Sequence, residues 1–134
     1  MTEPELPDGA APDRPPGRAP DPECLFCRIV AGTIPATRVH EDEAVIAIRD
    51  IAQRAPTHVL FLSREHIPSA ADLTPADGPM LGDLFGAAAA FARAEGLTEA
   101  GYRMVTNIGA WGGQTVAHLH VHLLGGRSMS WPPG

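Results

Sequence analysis

Residues 114–126 read QTVAHLHVHLLGG. Three of the chain's six histidines, His118, His120 and His122, stand there at alternate positions within five residues. Alternation is the period of a β-strand, whose side chains point to opposite faces in turn. The spacing predicts a strand over 115–124, ended by Gly125 and Gly126. It puts Val116, His118, His120, His122 and Leu124 on one face, and Thr115, Ala117, Leu119, Val121 and Leu123 on the core side. Like positions on a strand lie about 6.5–7 Å apart, so the three imidazoles span roughly 13 Å. Such a face can hold a metal, an extended ligand with a phosphate near its middle, or nothing. An H-x-H pair can share a metal that activates water, but three rings in a row strain to reach one ion. A division of labour fits better. The loop entering the strand, NIGAWGGQT at 107–115, holds three glycines. Glycines let backbone N–H groups approach an anion closely, which favours phosphate.

The rest of the chain predicts an α+β domain. At 134 residues it suits a single core. Residues 1–22 carry seven of the fourteen prolines and no aromatic residue. They read as a disordered Pro-rich tail, leaving 23–134 as the folded domain. A short helix is expected over 24–30, closed by Gly32, and strands over 37–40, 44–48, 58–62 and 102–107. The long helix runs from Thr74 to Gly96. Thr74 with Asp77 makes a capping box, Pro75 suits the first helical position, and Leu81, Leu84, Phe85, Ala88, Phe91 and Ala92 recur at helical spacing. Short strands in series predict an antiparallel sheet with the helices on one side.

Composition excludes several roles. A net charge of −6, with every basic residue an Arg, lacks the basic footprint of a nucleic-acid binder. No leader pattern opens the chain, and no apolar run nears the roughly 20 residues of a membrane span. A cytoplasmic protein is therefore expected. Cys24 and Cys27 form a C-x-x-C. A stable disulfide is unsuited to that compartment. A redox pair is possible, but no βαβ pattern adjoins it. Half of a zinc site is the stronger alternative if two more ligands exist.

These stretches together resemble the histidine triad (HIT) family. HLHVHLL at 118–124 is similar to its signature. CLFCRIVAGTIPA at 24–36, APTHVLF at 55–61, GYRMVTNIG at 101–109, GGQT at 112–115 and GGRSMSWPPG at 125–134 resemble its Hint branch, the histidine triad nucleotide-binding proteins. The resemblance covers 24–134. It implies a homodimer, each subunit giving a five-stranded antiparallel sheet with one long and one short helix, the two sheets joining across the dimer. It also implies binding of purine nucleoside monophosphates (AMP or GMP type) and hydrolysis of the P–N bond of adenosine 5′-phosphoramidates. By the motif match His120 is the nucleophile, His122 lies against the phosphate, and Asn107, Gly113, Gln114 and Thr115 line the phosphate side. Asp50, in IRDI, holds the ribose, Ile48 and Ile51 flank the base, and Trp131 lies near the nucleotide. Thr115 also stands on the leaving-group side as a catalytic residue.

Two positions depart from the family pattern. Thr115 stands where Ser is common, which keeps the hydroxyl and adds a methyl. Ser130 precedes Trp131, where relatives can carry a His. Relatives with the N-terminal cysteine pair imply a structural zinc on Cys24, Cys27, His58 and His118, which leaves His40 and His66 as surface histidines. Other functions stay open: a non-catalytic nucleotide- or partner-binding protein on the same fold, a zinc-dependent hydrolase unrelated to nucleotides, and a dinucleoside polyphosphate hydrolase. The WPPG ending speaks against the last.

Overall fold

Two short, almost wholly apolar runs, VIAIR and THVLFLS, decide the architecture. A computed structural model describes residues 18–134. Its elements in chain order are α1 (Leu25–Ala31), β1 (Arg38–Glu41), β2 (Val45–Arg49), β3 (Thr57–Ser63), α2 (Gly78–Ala94), β4 (Arg103–Val105) and β5 (His120–Gly125). The five strands form one antiparallel sheet in the order β1-β2-β3-β5-β4, as expected. β3 lies at its centre and is buried along nearly its whole length.

Both faces of the sheet are covered, which corrects the expectation of helices on one side. Val45, Ala47, Val59, Phe61, Val121 and Leu123 pack with Leu84, Ala88 and Ala92 of α2. Ile46, Ile48, Leu60 and Leu62, of opposite parity, pack with Phe26, Cys27 and Ile29 from α1. The apolar residues of both parities in β2 and β3 are what a doubly covered sheet needs. The short helix α1 therefore lies over the histidine face. Its N-cap is Cys24, whose Sγ accepts the Cys27 N–H, and Gly32 ends it at φ 82°, a conformation that favours glycine.

Register places the histidines. Ile46 pairs with Leu62, and Leu62 with His120; Ile48 pairs with Leu60, and Leu60 with His122. His120 and His122 therefore share the α1 face. β5 begins later than the expected residue 115. The His118 N–H bonds Val116 O at 2.9 Å, a tight turn that takes residues 116–118 out of the ladder.

Part of the expected tail is tied to the domain. Residues 1–17 of the expected tail lie outside the described residues, but Arg18 is buried. Its guanidinium holds both carboxylate oxygens of Asp77 and the carbonyl of Asp72. Its carbonyl accepts the His66 N–H at 3.1 Å. Asp77 also accepts the Thr74 N–H at 2.8 Å, closing the turn that leads into α2. Removing one partner of a buried pair leaves an uncompensated charge, at a cost of about 3–5 kcal/mol. Asp77→Ala is expected to lower the unfolding free energy by that order, read from urea melts at unchanged m-value.

Candidate active site and metal cluster

Two groups of ligating side chains stand on the α1 side of the sheet among the described residues. The first joins Cys24, Cys27, His66 and His118, whose ligand atoms all lie within 4.8 Å of one another. Cys24 Sγ and Cys27 Sγ are 3.4 and 3.5 Å from His118 Nδ1, and Cys27 Sγ is 3.3 Å from His66 Nδ1. His118 Nε2 donates to the Ser63 carbonyl at 2.7 Å, so Nδ1 carries the lone pair. Two thiols converging on one lone pair is an awkward hydrogen-bond arrangement and a natural metal-ligand arrangement. With Zn–S near 2.3 Å and Zn–N near 2.0–2.1 Å, a tetrahedron sets its N and S donors about 3.5 Å apart. The four donors fit a metal ion at that spacing. Burial pushes the Cys27 thiol up and His118 down to about 4; a cation between them would offset the cost of ionising the sulfurs.

The second group joins Asp50, His58 and His122. His58 Nε2 lies 2.8 Å from His122 Nδ1 and 3.2 Å from Asp50 Oδ2. The tautomers here oppose a metal. The Arg54 N–H donates to His58 Nδ1 at 3.1 Å, so the proton of the neutral ring sits on Nε2. That N–H donates to His122 Nδ1, which leaves the His122 proton on its own Nε2. Burial, then the neighbouring His120 and His58, push His122 down to about 4, so the ring is neutral near pH 7 and serves as a donor. The group is a hydrogen-bond relay that aims one N–H outward.

His120 lies between the two groups. Its Nδ1–H donates to the His118 carbonyl at 2.6 Å, which leaves Nε2 with the lone pair. Phe26 of α1 stands edge-on to both rings, with centroids 5.9 Å from His118 and 5.0 Å from His120. His120 and His122 line a cavity of about 390 Å³, together with Thr115, Asp50, Ile48 and Ile51. Leu25, Phe26 and Ile29 of α1 wall its other side. The arrangement offers a buried imidazole with a bare ring nitrogen, an adjacent neutral N–H donor, a hydroxyl and an apolar slot.

The family model described as "Scavenger mRNA decapping enzyme C-term binding" matches residues 23–131. A HIT family hydrolase from Legionella pneumophila superposes with a TM-score of 0.82 at 50% identity, covering 83% of this chain and 99% of that one. The chain belongs to the HIT family. The 14 kDa zinc-binding protein of Zea mays is 45% identical over 119 residues, which span 87% of this HIT chain and 92% of the maize protein. The purine nucleoside phosphoramidase of Escherichia coli is 41% identical over 107 residues, 80% of this chain and 90% of its own.

The HIT resemblance misplaced one metal ligand. His58 was expected with the cysteines; the structure puts it in the relay and puts His66 in its place. The register is the reason. Leu62, not His58, pairs with the His120 end of β5, so His58 falls at the far end of the sheet from α1's cysteines. The chain leaving β3 folds back over His118 instead, held by Leu119 N–H to Ile67 O and by the Arg18 carbonyl on His66. His66 is thus half-buried and no surface histidine. His40 is also half-buried and pairs with Asp42 at 2.6 Å.

Four expected nucleotide-binding residues stand outside the cavity lining. Asn107 Nδ2 donates to Gly112 O at 2.7 Å, and the Gly113 N–H to Ala110 O at 3.1 Å. The amide expected to meet a phosphate is therefore engaged within its own turn. Gln114 braces the loop, accepting the Gly109 N–H and donating to Pro68 O and Val116 O. Trp131 is 81% exposed. The walls contributed by Leu25, Phe26 and Ile29 were missed; the apolar spacing of Phe26, Ile29 and Val30 along α1 was the available signal.

The two histidines separate by experiment. His66→Ala is expected to abolish stoichiometric binding of Zn²⁺ or Co²⁺ by the purified protein, whereas His58→Ala keeps it. Metal analysis and the Co²⁺–thiolate absorption band read the difference. Retention by His66→Ala with loss by His58→Ala would restore the ligand set first expected.

Proposed function

We propose that this HIT protein is a Hint-type nucleotidyl hydrolase that cleaves the P–N bond of purine nucleoside 5′-phosphoramidates through a nucleotidyl-His120 intermediate. The observation that carries the reading is the His120 ring, tied at Nδ1 to the His118 carbonyl and bare at Nε2 towards the cavity. A neutral imidazole is a competent nucleophile near neutral pH. The name of the E. coli relative, purine nucleoside phosphoramidase, favours the same substrate class.

In this reading the nucleoside base lies in the apolar slot between Ile48 and Ile51, and Asp50 takes the ribose hydroxyls. One Asp50 oxygen is held by the Ala52 N–H at 2.8 Å, which fixes the carboxylate. His120 Nε2 attacks phosphorus, the P–N bond breaks, and the nucleotidyl group passes to the ring. Charge gathering on the phosphoryl oxygens is met by His122 Nε2–H, already oriented by His58, so no reorganisation is needed at the moment of reaction. The Thr115 hydroxyl passes a proton to the departing amine, and the proton lost by the water that attacks in the second step returns to the Thr115 oxygen. Water then attacks the phosphorus and frees His120 with a nucleoside monophosphate. Asn107, Gly113 and Gln114 shape the loop on the phosphate side, and Trp131 reaches the site from the chain end.

Zinc is the metal proposed for Cys24, Cys27, His66 and His118, as the name of the maize relative supports. With four protein ligands the site has no open position, and its contribution is structural. The protein is further proposed to be a homodimer. The sheet has two edges, β1 and β4, and a second copy laid along one of them would pair backbone groups that the edge leaves without a strand partner. Trp111 and Ile108, in the loop that follows β4, are exposed apolar side chains. Light scattering is expected to give twice the 14.1 kDa of one chain; a monomer at working concentration would end the dimer proposal.

His120→Ala is expected to lose turnover of adenosine 5′-phosphoramidate by at least about a thousandfold while AMP binding changes little. Rapid quench of the wild-type protein with labelled substrate is expected to trap one nucleotide per active chain. A variant that keeps most of its rate, with no adduct at any time, would replace the nucleophile by a directly activated water.

A further inference from the structure

The cysteine pair has a second chemistry that a closed metal site does not use. Cys24 is the N-cap of α1 and Cys27 stands one turn on, with its N–H on Cys24 Sγ at 3.4 Å. The two sulfurs lie within 4.8 Å of each other. Both are free thiols. An S–S bond needs about 2.05 Å, a closure within reach of side-chain rotation in a C-x-x-C at a helix start. Cys27 is 5% exposed, and it borders a surface cleft with Asp21, Pro22, Arg28 and Thr33.

The pair is joined to the nucleophile by one residue. Both sulfurs touch His118 Nδ1, and the His118 carbonyl fixes His120 through Nδ1–H. What happens at the sulfurs therefore reaches the ring that faces the cavity.

We propose that Cys24 and Cys27 are a reversible thiol–disulfide switch, in which a hydroperoxide closes the disulfide, the metal leaves, and His118 loses half of the support that positions His120. The pairing of the thiols stands on their own geometry. Its consequences for metal and turnover rest on the function proposed above.

The chemistry balances. The Cys27 sulfur attacks one peroxide oxygen; the O–O bond breaks, one water leaves, and Cys27 carries a sulfenic OH. Cys24 Sγ then attacks Cys27 Sγ; the S–O bond breaks and a second water leaves. The two sulfurs give up two electrons, which with two protons reduce one hydrogen peroxide to two waters; the thiols supply those protons in the metal-free protein, and solvent supplies them when the sulfurs are thiolates bound to the departing metal. Cys24 thus acts as the resolving thiol, and its proximity to Cys27 shields that sulfur from further oxidation. A disulfide sulfur is no thiolate ligand, so His66 and His118 alone remain for the metal. A dithiol reverses the reaction by exchange.

The test uses the full chain as purified, with its metal content measured first. Stoichiometric hydrogen peroxide is added while free thiols, intact mass, metal released to a chromophoric chelator, melting temperature and phosphoramidate turnover are followed. The expected result is loss of both thiols together, a mass lower by two hydrogens, release of the metal in step, and a fall in turnover of about tenfold or more. Dithiothreitol with Zn²⁺ is expected to restore all of these. The Cys24→Ser variant is expected to form no internal disulfide and to pass through the sulfenic acid to acids that dithiothreitol does not reverse.

Thiols that persist, or a wild-type protein that goes directly to sulfinic or sulfonic acid, would overturn the proposal. So would a disulfide that forms with turnover and melting temperature unchanged. A protein that holds no metal before oxidation sinks the zinc assignment, while thiol count and mass still decide the switch. A reduced, metal-loaded protein with no turnover sinks the hydrolase reading, and the melting temperature then carries the comparison.

Discussion

His118 has all of its polar atoms in use. Its N–H closes a tight turn on Val116 O, its Nε2–H bonds the Ser63 carbonyl, its Nδ1 faces two sulfurs, and its carbonyl holds His120 Nδ1–H. The residue is wholly buried, so each of these bonds forms in a low dielectric, where an unmade one costs most. The rest of the site depends on this arrangement. The turn on its amide takes His118 out of the β5 ladder and lets it drop towards α1. The ring then meets the cysteines, while its carbonyl stays on the sheet side for His120.

Two clusters of similar composition come out differently for a reason that the tautomers supply. In both, a histidine nitrogen is fixed by a backbone group. At His118 a carbonyl takes the Nε2 proton and frees a lone pair towards the sulfurs. At His58 an amide takes the Nδ1 lone pair and sends a proton towards His122. A carbonyl behind the ring makes a ligand or a nucleophile in front of it; an amide behind the ring makes a donor. His120, backed by a carbonyl, and His122, fed by a donor, thus present opposite faces of the same side chain to one cavity.

Much of this was legible in the sequence. The alternation of three histidines fixed their common side, and the short apolar runs in β2 and β3 marked two strands of the sheet. Proline, glycine and aspartate placed the ends of α1 and α2 within a few residues. What was not legible was long-range. Apolar residues of both parities in VIAIR and THVLFLS were the sign that both faces are covered, yet they do not say which helix covers which face. The exchange of His58 for His66 depends on the β3–β5 register and on how the chain leaves β3, and neither has a local signature. Arg18 sits in a segment whose composition reads as tail; its burial depends on one distant partner, Asp77, which no periodicity announces. The engaged amide of Gly113 is likewise a property of the folded turn, since a glycine-rich loop reads the same whether its N–H groups point out or in.

The central claim is that backbone groups set the protonation of the histidine rings so that His120 shows a bare Nε2 and His122 an Nε2–H. Long-range ¹H–¹⁵N correlation spectra of protein labelled at the histidine rings, recorded near neutral pH, measure this directly. The account predicts the Nδ1–H tautomer for His120 and the Nε2–H tautomer for His58 and His122. A His120 ring protonated at Nε2, or a His122 ring protonated at Nδ1, would contradict it.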